Sequence, residues 1–225
     1  MNTPIYLSNV RLSFPHLAEP QKQVNEQTGK TRISYNAEFL MPKTHEGFSQ
    51  FMKRYGELAL EHGKENATAI MQMIQSDRKS RCFGAGEEKV NKKTFLPYDG
   101  YPGHVYITAG RETPPQIIQA DGKPIDPDNT MAYVQLARKM YGGCRVNVAI
   151  KPWWQKPNPE KQYSHGIRCD LIAIQFAGDD TPFGEGSGAI DVSSIFGAVA
   201  VKSAPESQPA MPAAPFGMPS FLSGQ

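Results

Sequence analysis

Hydrophobic and polar residues alternate with a period of two in several stretches of the chain, a pattern typical of strands that bury one face. The predicted strands are residues 5–14, 31–41, 104–109, 115–120, 144–153 and 166–176. In the first strand, Val10, Leu12 and Phe14 share one face. Arg11 and Ser13 share the other. The first two strands are expected to pair with each other.

Helical spacing of apolar residues marks the segment that follows the second strand. Residues 48–59 place apolar side chains three and four positions apart, and Thr44 is suited to cap this helix. Shorter helices are predicted over 67–74 and 131–141. Five or six strands with a helical insertion at about 44–76 predict a mainly β fold that forms a small barrel. The segment 78–103 has neither period, and its glycines and lysines predict a mobile basic loop.

The strand 144–153 carries the clearest candidate for a binding surface. One face is apolar, with Cys144, Val146, Val148 and Ile150. The other face carries Arg145, Asn147, Ala149, Lys151 and Trp153. Guanidinium, ammonium and indole groups on one strand face suit a flexible polyanion with stackable rings, and single-stranded nucleic acid is such a ligand.

A proline-broken loop after this strand is expected to extend the same surface. The candidate contacts combine cations for phosphates with aromatic rings for bases. They are Arg11, Arg32, Arg111, Arg145, Lys151, Trp153, Trp154, Lys156 and Tyr163. The alternative is that the two tryptophans pack inside the protein and the lysines are only solvated, as is common for both residue types.

Charge is distributed unevenly along the chain. Residues 1–177 carry 23 basic and 17 acidic side chains and the remainder carries 1 and 5, so the formal net charges are +6 and −4. A basic domain joined to an acidic end favours polyanionic partners. Low aromatic content and repeated Pro, Ala, Ser and Gly predict that residues 185–225 are a disordered tail, which leaves 1–184 as one folded domain.

Motifs for common catalytic and metal sites are not found in the sequence. There is no GxxxxGK[ST] phosphate loop, and the five histidines and three cysteines show no metal-ligand spacing, so neither a cofactor nor a metal is expected. Asp99, Asp121, Asp126 and Asp128 could serve a metal-dependent nuclease only if their loops met, and most of them are simpler to explain as turn residues.

The cellular location is also constrained by the sequence. The cysteines are far apart and are expected to be buried thiols in a reducing cytosol. No secretory signal or apolar run of about 20 residues is present. We therefore expect a soluble, unexported protein in the cytoplasm.

Residues 179–183, DDTPF, allow two interpretations. An acidic segment that ends in phenylalanine is typical of tails that recruit replication proteins, but this one directly follows the last predicted strand. A structural turn is therefore the favoured interpretation. Phe221 and Leu222 form a second possible docking element near the end of the sequence.

Five segments in order resemble the single-stranded-DNA-binding protein family of tailed phages. They are VRLSFPHLAEP (10–20), FLMPKTH (39–45), TAGRETPPQIIQADGKPID (108–126), MYGGCRVNVAIKPWW (140–154) and HGIRCDLIAIQFAGDDTPFG (165–184). The resemblance covers about residues 4–185, and the chain departs from the family pattern at PWWQKPNPEKQYS. It implies an OB-fold (a small oligonucleotide-binding barrel), single-stranded DNA binding without catalysis, and a flexible end.

The function predicted from these observations is protection of single-stranded DNA in phage replication or recombination. Phosphates would lie in a basic groove and bases would stack on aromatic rings. Replication or recombination proteins are possible further partners through the acidic tail. Two alternatives stay open, namely a recombination or virion protein that contacts protein rather than DNA, and a metal-dependent nuclease.

Overall fold

The computed structural model describes residues 3–24, 29, 31–126, 128–158 and 164–184. The elements of these residues are β1 (Ile5–Val24), β2 (Thr31–Met41), α1 (Glu46–Gly63), α2 (Ala67–Ser76), β3 (Phe83–Ala85), β4 (Val105–Arg111), β5 (Gln116–Ile118), α3 (Thr130–Lys139), β6 (Arg145–Gln155) and β7 (Gly166–Gly178). The strands form one sheet in the order β3-β4-β2-β1-β6-β7-β5. Only the β5–β7 pair among these is parallel.

The sheet is curled, because β4 also contacts β7, which lies four positions away in the strand order. The predicted mainly β fold with a helical insertion is confirmed. The insertion consists of α1 and α2, and the predicted third helix is α3. Among the described residues, no helix is long and apolar enough to span a membrane. The predicted disordered tail, 185–225, lies outside the described residues.

The principal core lies between the inner face of the sheet and the helices. Residues of β6 alternate without interruption between buried and half-buried positions along the whole strand. Val146, Val148 and Ile150 are fully buried, as the sequence predicted. They pack in one cluster with Phe51 and Tyr55 of α1. The helical insertion therefore closes one side of the sheet and leaves the outward face of β6 to solvent.

Strand β1 departs from simple alternation after Leu12. The pairing of β1 with β2 is irregular between Ser13 and His16, and Phe14 has a positive φ of 45°. Ser13 lies on the predicted outer face, paired with Glu38 and buried beneath Tyr101. Phe14, predicted to share a face with Val10 and Leu12, is instead 39% exposed and packs against Tyr98 on the outer side. A bulge shifts the phase of side chains along a strand, which explains the change at Phe14.

The first strand is also longer than the alternation predicts. It continues to Val24 through Pro15 and Pro20. The pairing of β6 with β1 ends at Arg11, so the later part of β1 pairs only with β2. Proline is tolerated there because its missing N–H would point to an unpaired edge.

The N-terminus of α1 is capped by His45 rather than by the predicted Thr44. The His45 Nδ1 atom accepts a hydrogen bond from the Gly47 N–H at 3.1 Å. Its Nε2 atom lies 2.9 Å from the Ser8 carbonyl oxygen. The same imidazole therefore caps the helix and ties it to β1. Gly47 is required for this close approach, because a Cβ there would lie 2.6 Å from Leu7 Cδ2.

The segment 78–103, predicted as a mobile loop, covers the outer face of β1, β2 and β4. It contains β3 and a second small core in which Tyr101 packs against Leu40 and Tyr106. Glu38 of β2 is buried beneath it and accepts a hydrogen bond from the Tyr101 hydroxyl at 2.5 Å. Lys89 forms an ion pair with the other Glu38 oxygen at 2.5 Å. Burial beside this carboxylate raises the pKa of Tyr101.

We predict that Glu38→Ala lowers the free energy of unfolding by about 2 to 3 kcal/mol, because it leaves the buried Tyr101 hydroxyl and the Lys89 ammonium without their acceptor. Urea unfolding followed by circular dichroism measures the change. Glu112→Ala is the control, since Glu112 is 71% exposed in its pair with Arg32 and should cost less than about 0.5 kcal/mol. Equal effects of the two substitutions would contradict a stabilising role for the buried carboxylate.

Candidate nucleic-acid interface

The outward face of β6 and its two neighbours forms the candidate interface. Directly paired residues share a face of the sheet. Tyr6 of β1 lies opposite Ala149, and Gln175 of β7 lies opposite Asn147. Further along, Lys151 is paired with Asp170, and Trp153 with Arg168. The face therefore combines aromatic, amide and charged groups across three strands.

Trp153 is a half-buried side chain of this face with a fixed orientation. Its indole Nε1–H donates a hydrogen bond to Asp170 Oδ1 at 2.7 Å. Arg168, the direct partner of Trp153, donates from Nε to Gln155 Oε1 at 2.9 Å. One edge of the indole is thus bound to the sheet, while part of the ring stays open to solvent. A preoriented aromatic ring next to cationic groups is suited to stack on a nucleic-acid base.

Trp154 lies in the core, which corrects the prediction that it contacts nucleic acid. It is 9% exposed and belongs to the principal hydrophobic cluster. His62 at the end of α1 stacks on its ring at a centroid distance of 5.4 Å, and His165 contacts it at 5.5 Å. Strand β6 continues to Gln155 instead of ending at Trp153, so alternation directs Trp154 inward.

Arg11 and Arg145 lie opposite each other on β1 and β6 and share one carboxylate. Arg145 Nε donates to Asp180 Oδ2 at 2.7 Å, and Arg11 Nε lies 3.5 Å from the same oxygen. The backbone N–H of Thr181 and the Arg145 guanidinium hold the pKa of Asp180 below its ordinary value of 3.8. Both arginines reach the predicted surface, but the protein's own carboxylate already balances part of their charge.

Asp180 belongs to residues 179–184, which follow β7 and which we call the strap. The strap is bound to the domain by the backbone as well as by Asp180. Arg11 Nη2 donates to the Thr181 carbonyl oxygen, and the Phe183 N–H donates to Gly142 O at 2.9 Å. The Tyr141 hydroxyl donates to Asp180 O at 2.9 Å. DDTPF is therefore a structural segment here, in agreement with the favoured interpretation of the sequence.

Phe183 completes the strap by covering Arg11. The Arg11 guanidinium carbon lies 4.3 Å from the centre of the Phe183 ring, in a cation–π contact. The ring also packs against the second small core and lies close to Gly100, where a Cβ would lie 2.1 Å from a ring carbon. Gly100 also has a φ of +77°, a conformation that favours glycine. The strap thereby connects the outward face of β6 to the segment 78–103.

The other predicted contacts are not gathered at this face. Arg32 lies at the far end of β2, eight positions or about 25 Å from Leu40, which is the residue of β2 opposite Arg11. Its guanidinium forms an ion pair with Glu112 at 3.5 Å. Arg111 continues the series of β4 residues that face the principal core, so it lies on the opposite side of the sheet. Lys156 is exposed just after β6. Tyr163 lies outside the described residues.

Tyr6 and Asp170 belong to the face and were not among the predicted contacts. Tyr6 is 57% exposed. A signal for it exists in the sequence, because Ile5 and Leu7 on either side are buried and a strand alternates. No local signal identifies Asp170 as the acceptor for Trp153, since their pairing depends on the register of β6 and β7.

In the described part of the chain, no three His, Cys, Asp or Glu side chains converge as a metal site would require.

Comparison with known proteins agrees with this architecture. The family model described as the single-stranded DNA-binding protein of Enterobacter phage Enc34 matches residues 3–202. The chain belongs to this family. The p50 protein of Acyrthosiphon pisum secondary endosymbiont phage 1 is 26% identical over 197 residues, which cover 85% of this chain and 91% of that protein.

Two solved structures of the Enc34 single-stranded DNA-binding protein are similar to this fold. One has a TM-score of 0.55 at 26% identity and covers 84% of this chain and 88% of that one. The other, in complex with single-stranded DNA, has a TM-score of 0.56 at 24% identity and covers 80% and 88%. The fold of this chain is thus shared with members of the Enc34 family.

We predict that Asp180→Asn destabilises the protein by about 1 kcal/mol at pH 7, because the strap loses its ionic contact with the two arginines. The folded pKa of Asp180 is lowered, so its contribution is complete well above pH 3.8 and is lost as the pH falls through the lowered value. Urea unfolding of the unmodified chain and of Asp180→Asn, at pH 7 and at about pH 2.5, measures the difference in their free energies of unfolding. A difference in stability that persists at the lower pH would contradict the assignment.

Proposed function

We propose that this protein binds single-stranded DNA without a catalytic step and protects it during phage replication or recombination. Membership of the Enc34 family supports single-stranded DNA as the ligand. The observation that carries the proposal in this chain is the outward face of β6, with the preoriented Trp153 beside Lys151 and Arg168. Bases stack on the indole and phosphates lie against the cations.

The proposed contacts are narrower than the set expected from the sequence alone. They comprise Trp153, Lys151 and Tyr6 on the face itself, with Lys156 just beyond it. Arg11 and Arg145 supply positive charge at the strap end of the face, where Asp180 already binds them. Trp154 is omitted because its ring is buried, and Arg32 and Arg111 are omitted because they lie away from this face.

The remaining parts of the proposal concern protein partners and the place of action. An acidic C-terminal segment is suited to recruit replication or recombination proteins, and it also repels DNA from the wrong part of the chain. The place of action is the cytoplasm of the bacterial host. A pull-down of phage polymerase or recombinase with the full chain, and with a chain ended after Gly184, tests the partner role of residues 185–225. Equal capture by both proteins would show that residues 185–225 do not recruit these partners.

We predict that Trp153→Ala weakens binding of a single-stranded oligothymidine about tenfold, which corresponds to about 1.4 kcal/mol for one lost stacking contact. Fluorescence anisotropy measures the affinity, and thermal unfolding should change little. Trp154→Ala is the matched comparison, because removal of a buried indole should lower the free energy of unfolding by about 3 kcal/mol. Unchanged affinity in a folded Trp153→Ala protein would place the DNA elsewhere.

The salt dependence of binding tests the ionic contacts separately. We predict that Lys151→Ala reduces the magnitude of the log–log slope of affinity against salt concentration by about 0.7, the value for one phosphate contact on a single strand. Titrations at three or more salt concentrations determine the slope for each protein. An identical slope for the variant and the unmodified chain would show that Lys151 does not neutralise a phosphate.

One gel distinguishes this function from the two alternatives. A labelled single-stranded oligonucleotide is incubated with the protein at low salt, with and without magnesium. A shifted and intact band supports the proposed function. Absence of a shift would favour a protein that contacts other proteins, and degradation that depends on magnesium would favour a nuclease.

A further inference from the structure

Residues 89–98 form a hairpin loop whose backbone is held by its own hydrogen bonds. The Tyr98 N–H donates to Lys89 O at 3.1 Å, and the Asn91 N–H donates to Leu96 O at 2.9 Å. At the tip, the Phe95 N–H donates to Asn91 O at 2.8 Å. The Asn91 side chain accepts a further bond from the Lys93 N–H at 2.8 Å. The backbone of the tip is therefore well defined.

The base of the 89–98 loop is anchored to the sheet on both sides. Lys89 pairs with the buried Glu38 of β2. Tyr98 packs edge-on against Phe14 of β1 at a centroid distance of 5.0 Å. These two anchors lie on the outer side of the sheet, the side that also carries Arg11. The loop therefore projects from the border of the candidate interface.

The tip exposes an apolar pair beside a basic pair. Phe95 is 79% exposed and Leu96 is 66% exposed. Lys92 and Lys93 are exposed as well, and neither takes part in any ion pair between described residues. Cations without a carboxylate partner, next to an open aromatic ring, match the requirements of a single strand with phosphates and bases.

Phe95 also has an unfavourable backbone conformation. Its φ is +58°, in the left-handed region that bulky residues rarely occupy. Glycine or asparagine would fit this position better and would not expose a phenyl ring to water. Strained conformations of this kind concentrate at ligand-binding sites. The loop thus combines a strained backbone with an exposed ring, although neither stabilises the fold.

The loop is connected to the candidate interface through the strap. Gly100, two residues after Tyr98, contacts Phe183, whose ring covers the guanidinium of Arg11. Arg11 lies opposite Arg145, the first residue of β6. A chain of direct contacts therefore leads from the outward face of β6 to the base of the loop.

We propose that the 89–98 loop is a second contact site for single-stranded DNA, at which Phe95 stacks on a base and Lys92 and Lys93 bind adjacent phosphates. The inference rests on the proposed function, and it extends the bound strand beyond the face of β6. Leu96 shields one side of the stacked base from water. A role in binding thereby explains why a phenylalanine with a positive φ and an exposed ring occupies this position.

The test compares Phe95→Leu with Phe95→Trp in anisotropy titrations of an oligothymidine of about 16 nucleotides. Leucine keeps an apolar side chain but cannot stack, so Phe95→Leu should weaken binding about fivefold or more with an unchanged salt slope, and Phe95→Trp should retain or improve affinity. Joint replacement of Lys92 and Lys93 by alanine should reduce the magnitude of the slope by about 1.4. Leu60→Ala is the control, since Leu60 is 68% exposed on α1.

The outcomes separate this inference from the proposed function. Failure of the unmodified chain to bind the oligonucleotide would overturn both. A second outcome is that the unmodified chain and Phe95→Leu bind normally while Trp153→Ala binds more weakly. This result would overturn only the loop site. The apolar tip of the loop would then be a surface for a protein partner. Equal losses in Phe95→Leu and Phe95→Trp would show that an aromatic ring at this position is not the binding element.

Discussion

The contact of Asp180 with two opposed arginines is the constraint on which the candidate interface depends. Arg11 and Arg145 are direct partners across β1 and β6, and like charges in that arrangement repel each other. A single carboxylate between them offsets the repulsion and holds both guanidinium groups in place. To reach them, the chain after β7 must cross the sheet as the strap. That path brings Phe183 onto Arg11 and onto the segment 78–103.

Much of the sheet could be predicted because its signals are local. The faces of β6 follow directly from the alternation of Val146, Val148 and Ile150 with polar residues. The same rule would have placed Trp154 correctly if the predicted strand had been extended beyond Trp153 to Gln155. Pro152 is tolerated within the strand because the β1–β6 ladder ends at Ile150.

The parts that could not be predicted depend on contacts between distant residues. The segment 78–103 has no periodicity because a carboxylate from β2, a hydroxyl from β1 and the ring of Phe183 hold it, rather than a regular ladder. The change of phase at Phe14 likewise depends on a bulge that no residue type announces. The distribution of Arg11, Arg32 and Arg111 over different parts of the sheet follows from strand order, which composition does not determine.

The extension of β1 beyond Arg11 affects how copies of the protein meet one another. An extended ribbon with open sides is a template for addition of a further strand, which leads to aggregation. Pro15 and Pro20 remove two N–H donors from that side of β1, and the Leu17 carbonyl oxygen is already bonded to the Tyr133 hydroxyl of α3 at 3.2 Å. The later part of β1 therefore offers few free backbone groups to a neighbouring molecule, which disfavours the addition of a strand from a second copy.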